Sequence, residues 1–383
     1  MDHDYYVVGA GMFGSVFARD MAEQGRKVCV FDSRPHPGGN CWSHRDPLTE
    51  IEVHAYGPHI FHTNSDYVWN FVNRFGKFWP YIHRVKSYAS INGSHKVLSF
   101  PINLTTLYEI TEGRVNTPEG ALDYFKFVTK DYQIGCERNL EAWALSQVGK
   151  DIYEAFIEGY TKKQWGREPK DLPASILKRI PIRTTWNDQY FNDTYQGIPI
   201  RGYGNLFYSM LDHPNISLML KDEFDVKYIR NQAIKSKPIV VYTGGLDALF
   251  DYDEGPLQYR TLNFESQTLN QEDYQGISII NYPGSTSGNY TRVIEHKHFM
   301  NHKPKTGKTI VTTEFPAEWR VGKIPFYPVD NDATRALWER YRVRAQSIPK
   351  LITGGRLADF RYYDMHHVVA SALQTVKQCM ALE

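Results

Sequence analysis

Residues Tyr5–Asp32, YYVVGAGMFGSVFARDMAEQGRKVCVFD, constrain the fold more than any other stretch of the chain. Tyr5–Val8 is a short apolar, β-branched run that reads as a buried strand. Gly9-Ala10-Gly11-Met12-Phe13-Gly14 follows as a G-x-G-x-x-G. Phe13, Val16, Phe17, Met21 and Ala22 then fall at helical spacing, and Gly25 sits where a C-cap glycine belongs. Lys27–Phe31 is a second strand, ending on Asp32. In such a unit Gly9 allows the tight turn and Gly11 lets a pyrophosphate approach the backbone. Gly14 lets helix and strand pack closely, and the helix N-terminus faces the phosphate charge. Asp32 is placed to accept hydrogen bonds from a ribose diol and would repel a 2′-phosphate. A lone glycine motif would be weak, but strand, glycines, helix, strand and acid in register specify a dinucleotide site.

The bulk properties exclude several classes. With 44 Lys+Arg against 43 Asp+Glu, the 383-residue chain has no basic excess for nucleic acid. Cys29, Cys41, Cys136 and Cys379 are scattered and form no C-x-x-C or disulfide framework, which suggests a reducing compartment. The N-terminus lacks a basic n-region and cleavage site, and the longest uncharged apolar stretch, Tyr5–Ala18, is too short to span a bilayer. A cytoplasmic, soluble protein with no membrane partner is expected. The surplus of Tyr and Trp suits a pocket for rings and sugars as well as a core.

Past Asp32, Arg34 and then Gly38-Gly39-Asn40 place a second glycine pair close to the first phosphate loop. An acid, a basic residue just beyond it and Gly-Gly form the pattern of FAD proteins of the two-dinucleotide type; a plain Pro/Gly turn is the competing reading. His54, His59 and His62 invite a metal, but no cysteine or carboxylate cluster completes a ligand set, so packed or ring-facing histidines and no metal are expected. Asp66–Phe78 has amphipathic helical spacing. From Pro101 to Arg179 the pattern is helical, with Thr117-Pro118 and Asn139 as helix starts, the latter capping a helix through Val148. Tyr153, Phe156, Ile157 and Tyr160 form one helical stripe, which runs into a polar loop, Thr161–Pro169, carrying Trp165. Residues 181–300 show short β-rich runs that read as an antiparallel sheet, and in the run Tyr290–Phe299 a period of two puts Arg292, His296 and His298 on one face. Thr309–Thr313 and Leu351–Thr353 read as strands of a returning α/β segment, and two runs ending in Thr-Gly-Gly, Ile239–Gly245 and Leu351–Gly355, suggest that the opening βαβ unit is completed from distant sequence.

Taken together, GAGMFG, GGN, YGPHIFHT, GYTKKQWG, LKRIPIR, YTRVIEHKHF, PFYPV and GGRLADFRYYDM resemble the UDP-galactopyranose mutase family over essentially the whole chain. The resemblance implies an α/β protein with a discontinuous Rossmann-like FAD-binding domain (1–83, 203–248, 309–383). It adds a helical domain with a mobile substrate loop (101–180) and a twisted antiparallel β-sheet domain (84–100, 181–202, 249–308), usually in a homodimer. It further implies the redox-neutral interconversion of UDP-galactopyranose and UDP-galactofuranose, which serves cell-surface polysaccharide synthesis. FAD must be reduced, by NAD(P)H or another reducing system.

By motif, Gly9, Gly11, Phe13, Gly14, Asp32, Gly39, Asn40, His59, Ile60, Arg356, Asp364 and Met365 match positions around FAD, and His62 a position beside the isoalloxazine. Arg179 and Arg292 match the arginine pair on the diphosphate, and Thr161 and Trp165 the closing loop. Tyr190, Asn281, Tyr327 and Tyr362 match further substrate contacts, and Phe156 and Tyr160 lie near the uracil. His83 stands at a substrate position where the family often has asparagine. The roles expected in catalysis fall to Arg179, Arg292, His62, Tyr327 and Tyr362. Ring exchange requires a nucleophile to hold C1 while the sugar opens and recloses, and no side chain in these motifs is an obvious candidate, so an adduct at N5 of reduced flavin is expected. An amine-oxidase-like FAD oxidoreductase is the competing class, because the nucleotide fingerprint serves many chemistries.

Overall fold

A computed structural model describes residues 3–382 apart from 136–137, 223, 226, 228–237 and 285–287. Cys136 lies outside the described residues. The opening unit folds as β1 (Tyr5–Val8), α1 (Met12–Glu23) and β2 (Val28–Asp32), with Gly25 at φ +83° just past the helix. β1 is central in a parallel five-stranded sheet. β2 and then β10 (Ile216–Leu220) lie on one side, and β11 (Ile239–Tyr242) and then β17 (Leu351–Thr353) on the other. The inner strands are apolar because both faces are covered: Val7, Val28, Val30, Val240 and Val241 have no exposed surface. α1 packs its Val16, Phe17 and Met21 in one core with Val369, Ala372, Leu373 and Val376 of the C-terminal helix, Met365–Leu382. Each such side chain contributes about 1.5–3 kcal/mol by leaving water, so the last helix is stapled to the first. The expected completion of the opening unit from distant sequence is what the sheet order shows. The edge strand β10 had no reading in the sequence.

The second sheet has seven strands, in the order β16 (Tyr327–Pro328), β12 (Tyr259–Leu269), β15 (Thr309–Glu318), β14 (Arg292–Glu295), β13 (Ile279–Asn281), β7 (Val85–Ile91) and β8 (Ser94–Phe100). It is antiparallel except for the β13–β7 pair, which is parallel. Three assignments change here. Thr309–Glu318 belongs to this sheet, between β12 and β14, rather than to the cofactor segment, because its backbone pairs antiparallel with both neighbours. β9 (Tyr195–Pro199) pairs instead with β5 (Phe61–Thr63) and β6 (Phe78–Pro80) in a separate three-stranded sheet. β14 ends at Glu295, and His296–Phe299 turn into a 3₁₀ helix, so Arg292, His296 and His298 do not share a face. His296 is buried against Thr312, while His298 lies beside Glu295 and Asp273. This last trio is a group of possible metal ligands among the described residues, away from the cavity described below.

The helical region also departs from simple periodicity. α2 is capped by Ser65 and covers only Asp66–Asn73, since the chain turns at Gly76 into β6. Thr117 and Asn139 cap α4 (Pro118–Thr129) and α5 (Leu140–Ile152) as expected, although α5 runs past Val148 across a kink where Gly149 takes φ +75°. Tyr153–Glu158 is wound as a π-helix, which breaks the stripe: Tyr153, Phe156 and Ile157 are buried, whereas Tyr160 is only half-buried. The expected loop at Thr161 is helix: α6 spans Gly159–Trp165 and stops at Gly166, at φ +63°. Lys and Gln favour helix there, and Trp165 is buried, 8 % exposed. No helix among the described residues is long and apolar enough to cross a membrane.

Candidate active site

One cavity of about 1440 Å³ runs between the parallel sheet, the helical region and the second sheet. Every expected site residue lines it except Gly14, whose task is internal: a Cβ there would stand 2.0 Å from Gly9 O. At the glycine end, Gly9 needs its φ of +108°, and a Cβ would strike Thr243 Oγ1. At Gly11 an added Cβ meets no protein atom within 4 Å. Gly38 N–H donates to Ala10 O at 2.7 Å, locking the second glycine pair onto the first loop. The Asp32 carboxylate accepts Ala10 N–H at 2.8 Å and Arg34 N–H at 2.9 Å, so it shapes both loops at once.

Two arginines at this end carry buried nitrogens without a protein partner. Arg34 reaches Asn40 Oδ1 at 2.9 Å and lies over Tyr56, yet its Nη1 is buried with no partner. Arg356 lies against both the Tyr327 and the Tyr362 ring while its buried Nε and Nη2 lack partners. Phe13 packs on Gly354 and Gly355, where a side chain would not fit. Asp364, Met365 and Val368, at the start of the C-terminal helix, complete this wall. His59 Nδ1 hydrogen-bonds Gly57 O at 2.8 Å, and burial pushes its pKa down to about 4, keeping the ring neutral. Unpartnered guanidinium nitrogens beside a glycine cradle and a carboxylate fit an anionic dinucleotide, with the helix start adding donors.

At the other end, Arg179, the residue after α7 (Ser175–Lys178), donates to Tyr362 OH at 3.1 Å. Arg292 donates from Nη2 to Tyr160 OH at 2.6 Å. Strand register explains the neighbourhood of Arg292, since Asn281, Arg292 and Glu314 stand directly opposite one another across β13, β14 and β15. Glu314 is 1 % exposed and its Oε1 lies 3.2 Å from Arg292 Nε, close enough for an ion pair although not aligned as a hydrogen bond. Burial is the largest influence on Arg292 and works against its charge, but Glu314 together with Tyr160, Tyr327 and Tyr190 outweighs it, so the pKa stands well above the ordinary value. Tyr327 stacks on Tyr362 at 5.5 Å, with Trp165 beside it at 6.1 Å. Thr161 is buried on the same helix, and burial pushes Tyr160 up to about 12. Phe156 stacks with Phe100 below them.

His62 is held on three sides, by Asp193 Oδ2 at 2.6 Å from Nδ1, by the Phe191 face at 3.7 Å and by the His366 edge. With Nδ1–H donated to the carboxylate, Nε2 is left as the acceptor. His83 is buried against Tyr190 and Phe191, its Nδ1 lacks a partner, and burial pushes it down to about 3. A neutral imidazole thus occupies that position. Asp193, Phe191, Glu314 and Gln164 escaped the sequence reading. Only Glu314 carried a signal, a lone acid in the apolar strand TIVTTEF.

Residues 155–362 match the family described as UDP-galactopyranose mutase, and residues 7–75 the family described as NAD(P)-binding Rossmann-like domain. The chain is 42 % identical over 375 residues to a probable UDP-galactopyranose mutase of Klebsiella pneumoniae, covering 98 % of this chain and 94 % of the relative. It is 39 % identical over 372 residues to a dTDP-fucopyranose mutase of Escherichia coli, covering 96 % of each. Among solved structures, a reduced UDP-galactopyranose mutase aligns with TM-score 0.78 at 15 % identity, over 100 % of this chain and 95 % of that one. A putative protoporphyrinogen oxidase from Exiguobacterium sp. 255-15 aligns with TM-score 0.63 at 12 % identity over the whole of both chains. At such identities these two likenesses are of fold alone.

Proposed function

Because the chain belongs to the UDP-galactopyranose mutase family, we propose that it interconverts UDP-galactopyranose and UDP-galactofuranose with FAD as cofactor and no net redox change. The observation that carries this reading is that Arg179 and Arg292 line the same cavity as the glycine cradle. Two permanently charged guanidiniums suit a diphosphate that must be retained through the reaction. They would repel a cationic amine, which argues against an amine oxidase.

FAD would be held by Gly9, Gly11, Gly39, Asp32, Asn40, Arg356 and the start of the C-terminal helix. When bound and reduced, it would supply a nucleophile for the anomeric carbon. The protein's own part is placement. Arg179 and Arg292 keep UDP close for the return step, and Tyr327 and Tyr362 present hydroxyls to sugar and phosphate. Moving ring closure from one sugar oxygen to another shifts a proton, and His62, with Nε2 as acceptor, is positioned to take part. Trp165 and Thr161 cover the nucleotide and exclude water, with Phe156 and Tyr160 against the uracil and Tyr190, Asn281 and His83 around the sugar. A reductant such as NAD(P)H, a homodimer in the cytoplasm and a role in cell-surface polysaccharide synthesis complete the reading.

The test is to incubate the purified protein, oxidised and chemically reduced, with UDP-galactofuranose and to separate the products. Conversion to UDP-galactopyranose only in the reduced sample is expected, with no acceptor consumed per turnover. dTDP-fucopyranose run in parallel covers the chemistry of the Escherichia coli relative. Turnover of that substrate alone would move the assignment to the deoxysugar, and stoichiometric consumption of an electron acceptor would move it to an oxidoreductase.

A further inference from the structure

We propose that Lys163 is a positioning residue for Arg292, acting by clamping the segments that follow β13 (Tyr282–Gly284) and precede β14 (Tyr290) onto α6. Lys163 Nζ donates to three main-chain carbonyl oxygens, of Tyr282 at 2.9 Å, Gly284 at 2.6 Å and Tyr290 at 3.2 Å. An ammonium has three donors, and this nest uses all of them. Tyr282 directly follows Asn281, and Tyr290 stands two residues before Arg292, so the clamped residues adjoin two cavity-lining positions. On the same helix, Tyr160 accepts the Arg292 hydrogen bond, and Thr161 and Trp165 line the cavity.

The contact has no slack, since a Cβ on Gly159 would stand 2.2 Å from Pro283 O. The far end of α6 is fixed too. Arg260, opposite Glu318 in the β12–β15 ladder and ion-paired with it, donates to the carbonyls of Gln164 at 2.9 Å and Lys163 at 3.2 Å. The helix is therefore held to Tyr282–Gly284 and to Tyr290, and the ammonium sets where Arg292 meets Tyr160. Burial pushes the Lys163 amine down to about 8.

This inference rests on the nucleotide-sugar reading, and the two fail differently. Wild-type protein that neither binds UDP nor converts the sugar refutes that reading, whereas a wild-type-like Lys163 variant of an active enzyme refutes the clamp. The experiment uses the FAD-loaded full chain with Lys163→Met, Lys163→Gln, Tyr160→Phe and the Lys163→Met/Tyr160→Phe double variant. Measured are kcat and KM with UDP-galactofuranose, UDP affinity by calorimetry, flavin absorbance and Tm. Displacing the arginine by a fraction of an ångström to one ångström should raise KM and the UDP Kd roughly tenfold or more. The kcat should change less, and flavin content and Tm should stay at wild-type values. The double variant should be no worse than the poorer single, because both changes release the same contact. Wild-type KM and Kd in both Lys163 variants, strictly additive losses in the double variant, or loss of flavin and Tm in both Lys163 variants would each overturn the proposal.

Discussion

At the scale of single residues, the two cavity arginines differ in what they leave behind when removed. Truncating either should cost roughly 2–5 kcal/mol in kcat/KM by deleting a charge-assisted contact to a desolvated diphosphate. Arg179 donates to the Tyr362 hydroxyl and lies over that ring, so Arg179→Ala should keep its wild-type Tm. Arg292→Ala strands Glu314, 1 % exposed, without its cation, and an unpaired buried charge is strongly destabilising. Arg292→Ala should therefore melt lower, and adding Glu314→Gln should restore Tm without restoring turnover. Equal Tm in Arg292→Ala and wild type would show that Glu314 is not held by that arginine. Asp32 offers a second contrast. Its carboxylate ties both phosphate-binding loops by backbone N–H groups, so Asp32→Ala should weaken flavin retention by about 1.5–3 kcal/mol. Equilibrium dialysis of the flavin checks this, and undiminished retention would remove Asp32 from the cofactor site.

At the scale of elements, the first βαβ unit separates packing from ligand contact within one motif. A methyl group on Gly14 collides with Gly9 O, which must force α1 off β1, whereas one on Gly11 meets no protein atom within 4 Å. Gly14→Ala should lose at least about 1–3 kcal/mol of stability, the usual cost of overpacking, read as a fall in apoprotein Tm. Gly11→Ala should melt like wild type as apoprotein and bind flavin more weakly. Identical behaviour of the two variants would contradict the division of labour. Helix α6 is the other informative element. Its C-terminal carbonyls are held by Arg260, so Arg260→Met should loosen the helix and expose Trp165. The Trp165 emission, isolated by difference against a Trp165→Phe background, should shift to the red. An unmoved emission would mean that the helix stands without that arginine.

At the scale of the molecule, burial holds His59, His83 and His296 neutral, with pKa values pushed down to about 4, about 3 and about 3. The unfolded chain takes up these protons below about pH 6.5 and the native chain does not, so stability falls as pH drops from about 6.5 towards 4. Each such histidine contributes a slope of about 1.4 kcal/mol per pH unit inside that window. His296 is the clean probe, because its Nδ1 accepts His54 N–H and its Nε2 faces Thr312, outside the cavity lining. Denaturant unfolding of His296→Gln should show a shallower loss between pH 6.5 and 5 than wild type, and parallel curves would refute this origin of the acid sensitivity.

The whole molecule also shows where sequence reading stops. Local periodicity and glycine spacing sufficed for β1, α1, β2 and the C-terminal helix. These elements are specified by neighbours a few residues apart and by the backbone freedom of Gly9, Gly11 and Gly14. The composite motifs likewise marked the residues that line the cavity. What they left open were relations across long separations. Glu314 faces Arg292 only because β14 and β15 pair in one register, and Asp193 meets His62 only because β9 folds back on β5. Thr309–Glu318 looked like a cofactor-domain strand because its residues suit either sheet; hydrogen-bond partners supplied from β12 and β14 decided between them. Trp165 looked exposed because its neighbours are polar, yet Lys163 and Arg260 turn those polar groups towards carbonyls of other segments. The sequence by itself thus determined which groups the protein carries and which local turns it can make. Only the tertiary structure decided which charges meet, since that depends on strand register and long-range packing that no local pattern encodes.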